Sequence, residues 1–295
     1  MYTIEFPLGG FDADAVEEAL LDVGAVSITF VDRGDEPVLE PKPGEVRLWN
    51  DTLVRALFQE SSDAALNLDR LATALGPHVT QTARVRAVQD QVWERAWLAG
   101  WKPMRFGRRL WVCPRAAEAP QDPQAIVVRL DPGLAFGTGT HPTTALCLQI
   151  LDSLPLEHRT VIDYGCGSGI LGVAALKLGA AHVIAVDLDP QALIATRDNA
   201  VRNRVASNIT VQGIEAGLPS AFCVVANILA GPLIELAPKL TSACEPAGHL
   251  LLSGLLKTQA YAVKGAYASG FDMVQVIERD EWCCIHARRY SQEPV

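Results

Sequence analysis

A glycine-rich bend is the segment best suited to hold a ligand against the main chain. In VIDYGCGSGILGVAALKLGA, an apolar run ends at Asp163 and is followed by Gly165, Gly167 and Gly169 before a helical stretch begins. Glycine adopts backbone conformations that other residues avoid and allows a ligand to approach closely. In open α/β folds, ligands bind at the carboxyl ends of the strands, where this bend would lie. The segment therefore predicts a ligand-binding turn.

A second acidic residue ends the next apolar run, HVIAVD. A carboxylate in the place of Asp187 accepts hydrogen bonds from the two ribose hydroxyls of an adenosine, which predicts a nucleoside ligand. Asp189 and Pro190 fit the cap and the first position of the following helix, so we interpret Asp189 as structural.

Residues 167–172 also match the GxGxxG fingerprint of dinucleotide-binding proteins. A pyrophosphate requires exposed main-chain amides without a carboxylate nearby, whereas a sulfonium with an amino-acid tail tolerates an acid such as Asp163. The bend therefore favours S-adenosylmethionine, and a nicotinamide cofactor is the alternative.

Two further segments place polar side chains where such a ligand would lie. LDPGLAFGTGTHPTT leads into a helix that starts near Thr143 and Thr144, whose hydroxyls would either cap the helix or contact the ligand. The apolar run FCVVAN ends at Asn227, whose amide would accept from an incoming amine and donate to the cofactor, or would cap the next helix. We interpret His141 as a residue that fixes the loop rather than as a general base.

The cysteines predict neither a disulfide framework nor a metal site. Seven cysteines, an odd number, are scattered along the chain, which is typical of reduced thiols. Cys283, Cys284 and His286 lack the second close-spaced ligand pair that a zinc site usually needs, so we expect no metal there.

Alternating strands and helices must position these residues from about Ile126 onward. Helical stretches separate five apolar runs, as in a parallel sheet buried on both faces: VIDYG, HVIAVD, NITVQG, FCVVAN and HLLLSG. The last two runs, FDMVQVIE and CCIHARRY, are separated only by RDEW, which is too short for a parallel crossover and predicts an antiparallel hairpin at one edge. The fold class is therefore α/β, with seven strands in a Rossmann-like sheet.

The first 90 residues predict a separate, small α+β domain. The strand-like segments TIEFPL, VSITFVD, TLVRALFQ and QTARVRAVQ alternate with helices at 12–24 and 64–75 in the order βαββαβ. This order is typical of a ferredoxin-like domain. We predict three parts: a ferredoxin-like domain over 1–90, a connector over 91–125 and a ligand-binding domain over 126–295.

The connector is unusual in composition. Residues 91–115 include four of the six tryptophans and six Lys or Arg residues against one acid. We predict a linker helix from Trp93 to Trp101, with its indoles packed between the domains, and then a hairpin. A nucleic-acid platform and a docking site for an acidic or ribonucleoprotein-associated substrate are the alternatives.

Charge and terminal sequence restrict the class of partner. The chain has 25 Lys+Arg against 34 Asp+Glu, a net charge of −9, which argues against a dedicated DNA-binding protein. The first residues lack the basic segment of a secretory signal, so we expect a cytoplasmic protein. Residues 216–234 carry no charge, but Gly and Pro interrupt them, which predicts two buried elements rather than a membrane span.

Taken together, these segments resemble the bacterial methyltransferase family that modifies large-subunit ribosomal protein eleven, within the class I S-adenosylmethionine-dependent superfamily. The resemblance extends over essentially the whole chain, and its combination of motifs in this order is specific: GEVRLW, WERAW, PMRFGRRLWVCP, LDPGLAFGTGTHPTT, IDYGCGSGIL, DLDPQA, ANILAGPL and EWCCI.

The resemblance implies a division of labour between the domains. The N-terminal domain would recognise the ribosomal protein, and the C-terminal domain would bind S-adenosylmethionine and trimethylate lysine side chains and the N-terminal α-amine. The cofactor contacts would be made by Thr144, Gly165, Gly167, Asp187 and Asn227. RNA contact is left open by the sequence.

Methyl transfer to an amine needs alignment of donor and acceptor more than activation by the protein. We therefore expect no essential general base, and we expect Asn227 to orient the neutral amine. The alternatives are an RNA or small-molecule methyltransferase, a non-catalytic ribosome-assembly protein that binds the cofactor, and a nicotinamide-linked oxidoreductase.

Overall fold

The computed structural model describes residues 1–34, 48–59, 62–87, 102–115, 117–130 and 140–291. The chain divides into two compact units, Met1–Ala96 and Trp97–Val295. Two predicted features lie outside the described residues: the linker helix Trp93–Trp101, and the glycines of the segment LDPGLAFGTGTHPTT, which are Gly133, Gly137 and Gly139.

The first unit is built on a four-stranded sheet in the order β2-β3-β1-β4, with antiparallel pairings. Its elements are β1 (Tyr2–Pro7), α1 (Ala13–Asp22), β2 (Ser27–Asp32), β3 (Thr52–Phe58), α2 (Ala64–Leu75), α3 (His78–Thr82) and β4 (Arg84–Ala87). Asp12 and Asp63 start α1 and α2 by accepting hydrogen bonds from main-chain N–H groups of the first turn. One face of the sheet packs on these helices through fully buried side chains such as Phe6, Val16 and Leu71.

The fourth strand begins later than the sequence predicts. The sequence pattern predicts a strand from Gln81. In the structure Gln81 and Thr82 belong to α3, and β4 starts at Arg84. The hydroxyls of Thr80 and Thr82 donate to the carbonyls of Pro77 and His78, which satisfies the short helix locally. Such side-chain bonds to the main chain compete with extended structure at threonine.

The second unit begins with a three-stranded sheet. β5 (Met104–Phe106) and β6 (Leu110–Cys113) form an antiparallel hairpin, and β6 pairs in parallel with β7 (Ile126–Arg129). The described part of the predicted connector is thus hydrogen-bonded to the first strand of the predicted ligand-binding domain.

A seven-stranded mixed sheet forms the centre of the second unit, in the order β10-β9-β8-β11-β12-β14-β13. The strands are β8 (Thr160–Tyr164), β9 (His182–Asp187), β10 (Ile209–Gly213), β11 (Ala221–Asn227), β12 (Cys244–Leu256), β13 (Phe271–Arg279) and β14 (Trp282–Arg289). The first five in this order pair in parallel, whereas β14 runs antiparallel to both β12 and β13. The predicted α/β fold with a mixed sheet is confirmed.

Helices cover both faces of this sheet. The helices are α4 (Pro142–Leu151), α5 (Ile170–Lys177) and α6 (Pro190–Arg202) on one face, and α7 (Ala230–Glu235), α8 (Ala237–Ala243) and α9 (Ala260–Tyr267) on the other. Successive strand residues alternate between the two cores, with Val161 in one and Ile162 in the other. Burial on both faces explains why these strands are continuous apolar runs.

None of the helices in the described part of the chain combines the length and the apolar character that crossing a membrane requires. The uncharged stretch 216–234 contains β11 and most of α7, which are separate elements.

A histidine pair near the sheet edge, in which His286 is buried and His249 is partly buried, predicts acid sensitivity. His249 Nδ1 and His286 Nε2 are 2.9 Å apart, and burial, followed by the charge of His249, lowers the pKa of His286 to about 4. The unfolded chain takes up this proton below about pH 6.5, whereas the folded chain does not until about pH 4. We therefore expect the free energy of unfolding to fall by on the order of 3 kcal/mol as the pH drops across this window.

The measurement is chemical denaturation at several pH values between these limits. His286→Gln should flatten the dependence, whereas His158→Asn, at an exposed histidine of the same unit, should retain it. Parallel pH profiles for the wild type and His286→Gln would disprove this assignment.

Candidate functional site

The site lies where the direction of the chain across the large sheet reverses. From β8 the chain proceeds outward to β9 and β10, and then returns to place β11 on the other side of β8. At such a switch point the loops after adjacent strands diverge and leave a crevice at the carboxyl ends. The ends of β8, β9 and β11 therefore bring Tyr164, Asp187 and Asn227 to the same edge.

The glycine bend after β8 has the conformation that its sequence predicts. Gly165, Gly167 and Gly169 have φ values of +74°, +53° and +75°, which side chains other than glycine rarely allow. A Cβ atom at Gly165 would collide with the side chain of Ile228, and one at Gly169 would lie 2.7 Å from Thr196 Cγ2. The bend is thus set by both backbone conformation and close packing.

Four amides of the bend are directed into the protein. The N–H groups of Gly165 and Cys166 donate to Val186 O at 2.7 and 3.0 Å, and Gly169 N–H donates to Cys166 O at 2.7 Å. Gly167 N–H donates to Asp187 Oδ2 at 2.9 Å. A diphosphate would need such amides itself, so these four amides are not available to the anion that the GxGxxG spacing suggests.

Asp187 anchors the bend and also faces the crevice. Its second carboxylate oxygen accepts from Asp189 N–H at 3.0 Å. Each carboxylate oxygen can accept more than one hydrogen bond, so the group can still accept from vicinal hydroxyls. The predicted structural role of Asp189 is confirmed, because its side chain accepts from Gln191 N–H at 2.8 Å and Pro190 starts α6.

Asn227 and Thr144 meet although 83 residues separate them in sequence. Asn227 Nδ2 donates to Thr144 Oγ1 at 3.2 Å. This bond orients the amide, and no described residue donates to its Oδ1. The carbonyl oxygen is thus available to an incoming donor such as an amine.

Neither Thr144 nor Asn227 caps a helix, which removes both structural alternatives. The cap of α4 is His141, whose Nδ1 lies 2.7 Å from Thr143 Oγ1, and the cap position of α7 is occupied by Leu229. The ring of His141 also contacts Trp282 edge-to-face at 4.8 Å between centroids. Burial lowers the pKa of His141. These contacts agree with a loop-fixing role.

A cavity of about 470 Å³ joins these elements. All five residues predicted as cofactor contacts line it: Thr144, Gly165, Gly167, Asp187 and Asn227. Most of the other lining is apolar. Its charged described residues are two carboxylates, Asp187 and Glu235, and its described part contains neither Lys nor Arg. The cavity therefore favours a cationic or neutral ligand over a polyanion.

Several lining residues were not predicted as contacts from the sequence, among them Leu188, Ile214, Glu235 and Leu236. Leu188 and Ile214 directly follow β9 and β10, which pair in register at Asp187 and Gly213. Their position in the sequence could have identified Leu188 and Ile214, because residues that follow neighbouring parallel strands meet at one edge of the sheet.

Lys239 supports the part of the cavity that Tyr164 and Ile214 line. Its Nζ donates to Ile214 O at 3.1 Å and to the Tyr164 hydroxyl at 3.4 Å, and it lies 5.3 Å from the centre of the tyrosine ring. Both partners line the cavity. The lysine thus ties the end of β8 to the loop after β10.

Asp163 is structural rather than ligand-facing. Its side chain is buried, and its Oδ2 accepts from Gly172 N–H at 2.8 Å, which joins β8 to α5. Burial raises its pKa to about 7, and the charge of Asp187 adds to this effect, although the bond from Gly172 opposes it. Asp163 does not line the cavity, so the presence of this acid is not what selects the ligand.

The seven cysteines are unpaired and buried. Cys284 lies beside Cys147, with 3.9 Å between the sulfur atoms, and His286 pairs with His249. In the described part of the chain, no group of three or more His, Cys, Asp or Glu side chains is arranged to hold a metal ion.

The chain is similar to known proteins over nearly its whole length. The family model described as "Ribosomal protein L11 methyltransferase (PrmA)" matches residues 3–290. The chain is 53% identical over 287 residues to the Ribosomal protein L11 methyltransferase of Sodalis glossinidius, covering 95% of this chain and 96% of that protein. It is 52% identical over 284 residues to the one from Shewanella amazonensis, covering 95% of each.

A solved structure of this family is also similar. The crystal structure of ribosomal protein L11 methylase from Lactobacillus delbrueckii subsp. bulgaricus matches with a TM-score of 0.59 and 31% identity. The match covers 64% of this chain and all of that chain. Because the family model spans nearly the whole sequence and relatives at about half identity cover it end to end, the chain belongs to the ribosomal protein L11 methyltransferase family.

Proposed function

We propose that the protein transfers methyl groups from S-adenosylmethionine to amines of ribosomal protein L11. The observation that carries this proposal is the pairing of Asn227 with Thr144 on the same cavity as the glycine bend and Asp187. The names of the family and its relatives supply the protein substrate.

The charge of the cavity supports S-adenosylmethionine over a nicotinamide dinucleotide. The described lining carries two carboxylates and no basic side chain, and four amides of the bend already have acceptors within the protein. A pyrophosphate would be repelled by the carboxylates and would lack these four amide donors, whereas a sulfonium is attracted.

The order of the strands suggests which part of the ligand each lining residue would contact. Ile214 and Leu188, after β10 and β9, would contact the adenine, and Asp187 would accept from the ribose hydroxyls. Gly165 would let the ligand approach the main chain. Asn227 ends β11, three strands from β10, so it would lie at the end where the methyl group is transferred.

Asn227 has the central part in the transfer. When bound, S-adenosylmethionine supplies an electrophilic methyl group, so the amine lone pair forms the N–C bond as the C–S bond breaks and its electron pair stays on sulfur. Asn227 Oδ1 would accept from an amine N–H and direct the lone pair. A lysine ammonium must first lose its proton to water, which a low-dielectric site near a cation favours. No side chain is needed as a base.

The remaining assignments belong to the same proposal. The acceptors would be lysine side chains and the N-terminal α-amine. Residues 1–90 would form a ferredoxin-like recognition domain, 91–125 a connector, and 126–295 a seven-stranded class I methyltransferase domain. The strand order β2-β3-β1-β4 supports the first of these, and the parallel sheet with its antiparallel edge supports the last. A ribosomal protein substrate would place the reaction in the cytoplasm.

Mass spectrometry of ribosomal protein L11 after incubation with enzyme and cofactor tests the function. We expect increments of whole methyl groups on amines of the protein. In a parallel reaction with labelled cofactor and ribosomal fractions, label in ribosomal RNA rather than in protein would support an RNA methyltransferase. Cofactor binding without any transfer would support a non-catalytic assembly protein.

The contacts of Lys239 give a prediction about cofactor affinity. Lys239→Met removes two hydrogen bonds that hold cavity-lining groups, so we expect the KM for S-adenosylmethionine to rise roughly fivefold to tenfold with little change in kcat. Calorimetric titration with S-adenosylhomocysteine should show the same loss, and Lys239→Arg should recover part of it. Lys177→Met, at an exposed residue in the last turn of α5, is the control. An unchanged cofactor affinity in Lys239→Met would refute the bracing role.

A further inference from the structure

The face of the first unit's sheet that lies opposite α1 and α2 concentrates positive charge in a chain whose net charge is −9. In β1, Ile4 and Phe6 point into the core with the helices, so Glu5 points to the opposite face. Arg55 of β3 and Arg84 of β4 are the register partners of Glu5, and Arg86 lies two residues further along β4. Paired residues of neighbouring strands share a face, so Arg55, Arg84, Arg86 and Glu5 form one cluster, the arginine face.

Glu5 organises this cluster rather than cancelling it. The carboxylate is nearly inaccessible and contacts Arg55 Nε at 2.6 Å and Arg86 Nε at 3.5 Å, while both arginines are about half exposed. A buried carboxylate between two guanidinium groups restricts their side chains, and the exposed part of each guanidinium remains accessible to a ligand. No described residue pairs with the guanidinium of Arg84.

A polar groove of about 550 Å³ runs along this face. Its lining includes Glu5, Arg33, Arg84 and Arg86, with Gln81 and Thr82 at the end of α3. Arg33 pairs with Asp51 at 3.5 Å. Among the residues that the structure describes on this face, four arginines and two carboxylates leave a surplus of two positive charges. The exposed acids of α1 lie on the opposite, helical side of the same unit.

We propose that the arginine face and its groove form a docking surface for an acidic segment of the protein substrate. Guanidinium groups match carboxylates in geometry, and a surplus of two charges suits a short run of Asp or Glu. RNA binding requires neutralisation of several phosphates, for which a surplus of two charges is too small. The inference rests on the proposed function for the identity of the substrate, and it adds the chemistry by which the substrate is held.

Steady-state kinetics of the full-length enzyme test this surface. Arg84→Ala should raise the KM for ribosomal protein L11 roughly fivefold, and Arg84→Ala with Arg86→Ala should raise it further, because each lost ionic contact weakens docking. Neither change should affect kcat or the KM for S-adenosylmethionine. The wild-type KM should rise with salt more steeply than that of the double variant. Arg70→Ala, at an exposed arginine of α2, should behave as the wild type.

A hexaglutamate peptide probes the ligand class directly. It should compete with the ribosomal protein for the wild type and much less for the double variant. An unchanged KM for the ribosomal protein in the double variant would overturn the proposal. So would a double variant that no longer binds a ribosomal RNA fragment but keeps the wild-type KM for the ribosomal protein. If the wild type does not methylate the ribosomal protein, the proposed function itself fails, which is a separate result.

Discussion

Asn227→Ala is expected to lower kcat by roughly 100-fold to 1,000-fold, because it removes a preorganised group that acts on the reacting nitrogen. In the structure the amide is held by Thr144 Oγ1 at 3.2 Å, which leaves its carbonyl oxygen for the amine. Alanine has no acceptor there, so the lone pair of the amine would not be directed toward the methyl group. Single-turnover kinetics with saturating cofactor measure this step.

The fold of this variant should be retained, since Asn227 is half-buried and does not cap a helix. Thr144→Val should cause a smaller loss, because it leaves the amide in place but removes the hydroxyl that orients it. Asn208→Ala, at an exposed asparagine that bonds to Ala181 O, is the matched control and should turn over normally. Normal single-turnover rates in Asn227→Ala would show that the amide does not orient the amine.

Asp187→Ala is expected to weaken S-adenosylmethionine binding by roughly 100-fold, since hydrogen bonds to a charged group contribute about 1.5–3 kcal/mol each. The carboxylate serves the site twice. It accepts from Gly167 and Asp189 N–H groups, which fixes the bend, and it would accept from the ribose hydroxyls. Both functions are lost in alanine.

Calorimetric titration with S-adenosylhomocysteine measures this loss without turnover. Asp189→Ala is the matched control, because Asp189 is an exposed helix cap only two residues away and does not line the cavity. It should reduce stability slightly and leave affinity unchanged. Equal affinities for the wild type and Asp187→Ala would remove Asp187 from the cofactor site.

Much of the site could be predicted because parallel strands converge at one edge. Once the apolar runs ending at Asp163, Asp187 and Asn227 are interpreted as neighbouring strands, their final residues must lie together. Gly165 and Gly167 follow from the need for positive φ at a tight bend. These inferences need only local pattern and chain direction.

The contacts within the site could not be predicted in the same way. The bond between Asn227 and Thr144 depends on the position of α4 relative to β11, which no local pattern records. The same is true of His141, which replaces the two threonines as the cap of α4. Whether the amides of the bend are available to an anion also depends on the register of β8 and β9. In this register Val186 O accepts from two of these amides, which the GxGxxG spacing alone does not reveal.

The central claim is that the crevice at the ends of β8, β9 and β11 binds an adenosine carrying a sulfonium methyl group. Parallel calorimetric titrations of the protein with S-adenosylhomocysteine and with NADH test it most directly. We expect saturable binding of the first that is lost in Asp187→Ala, and no detectable binding of the second. Tight binding of NADH, or no heat with S-adenosylhomocysteine, would contradict the account.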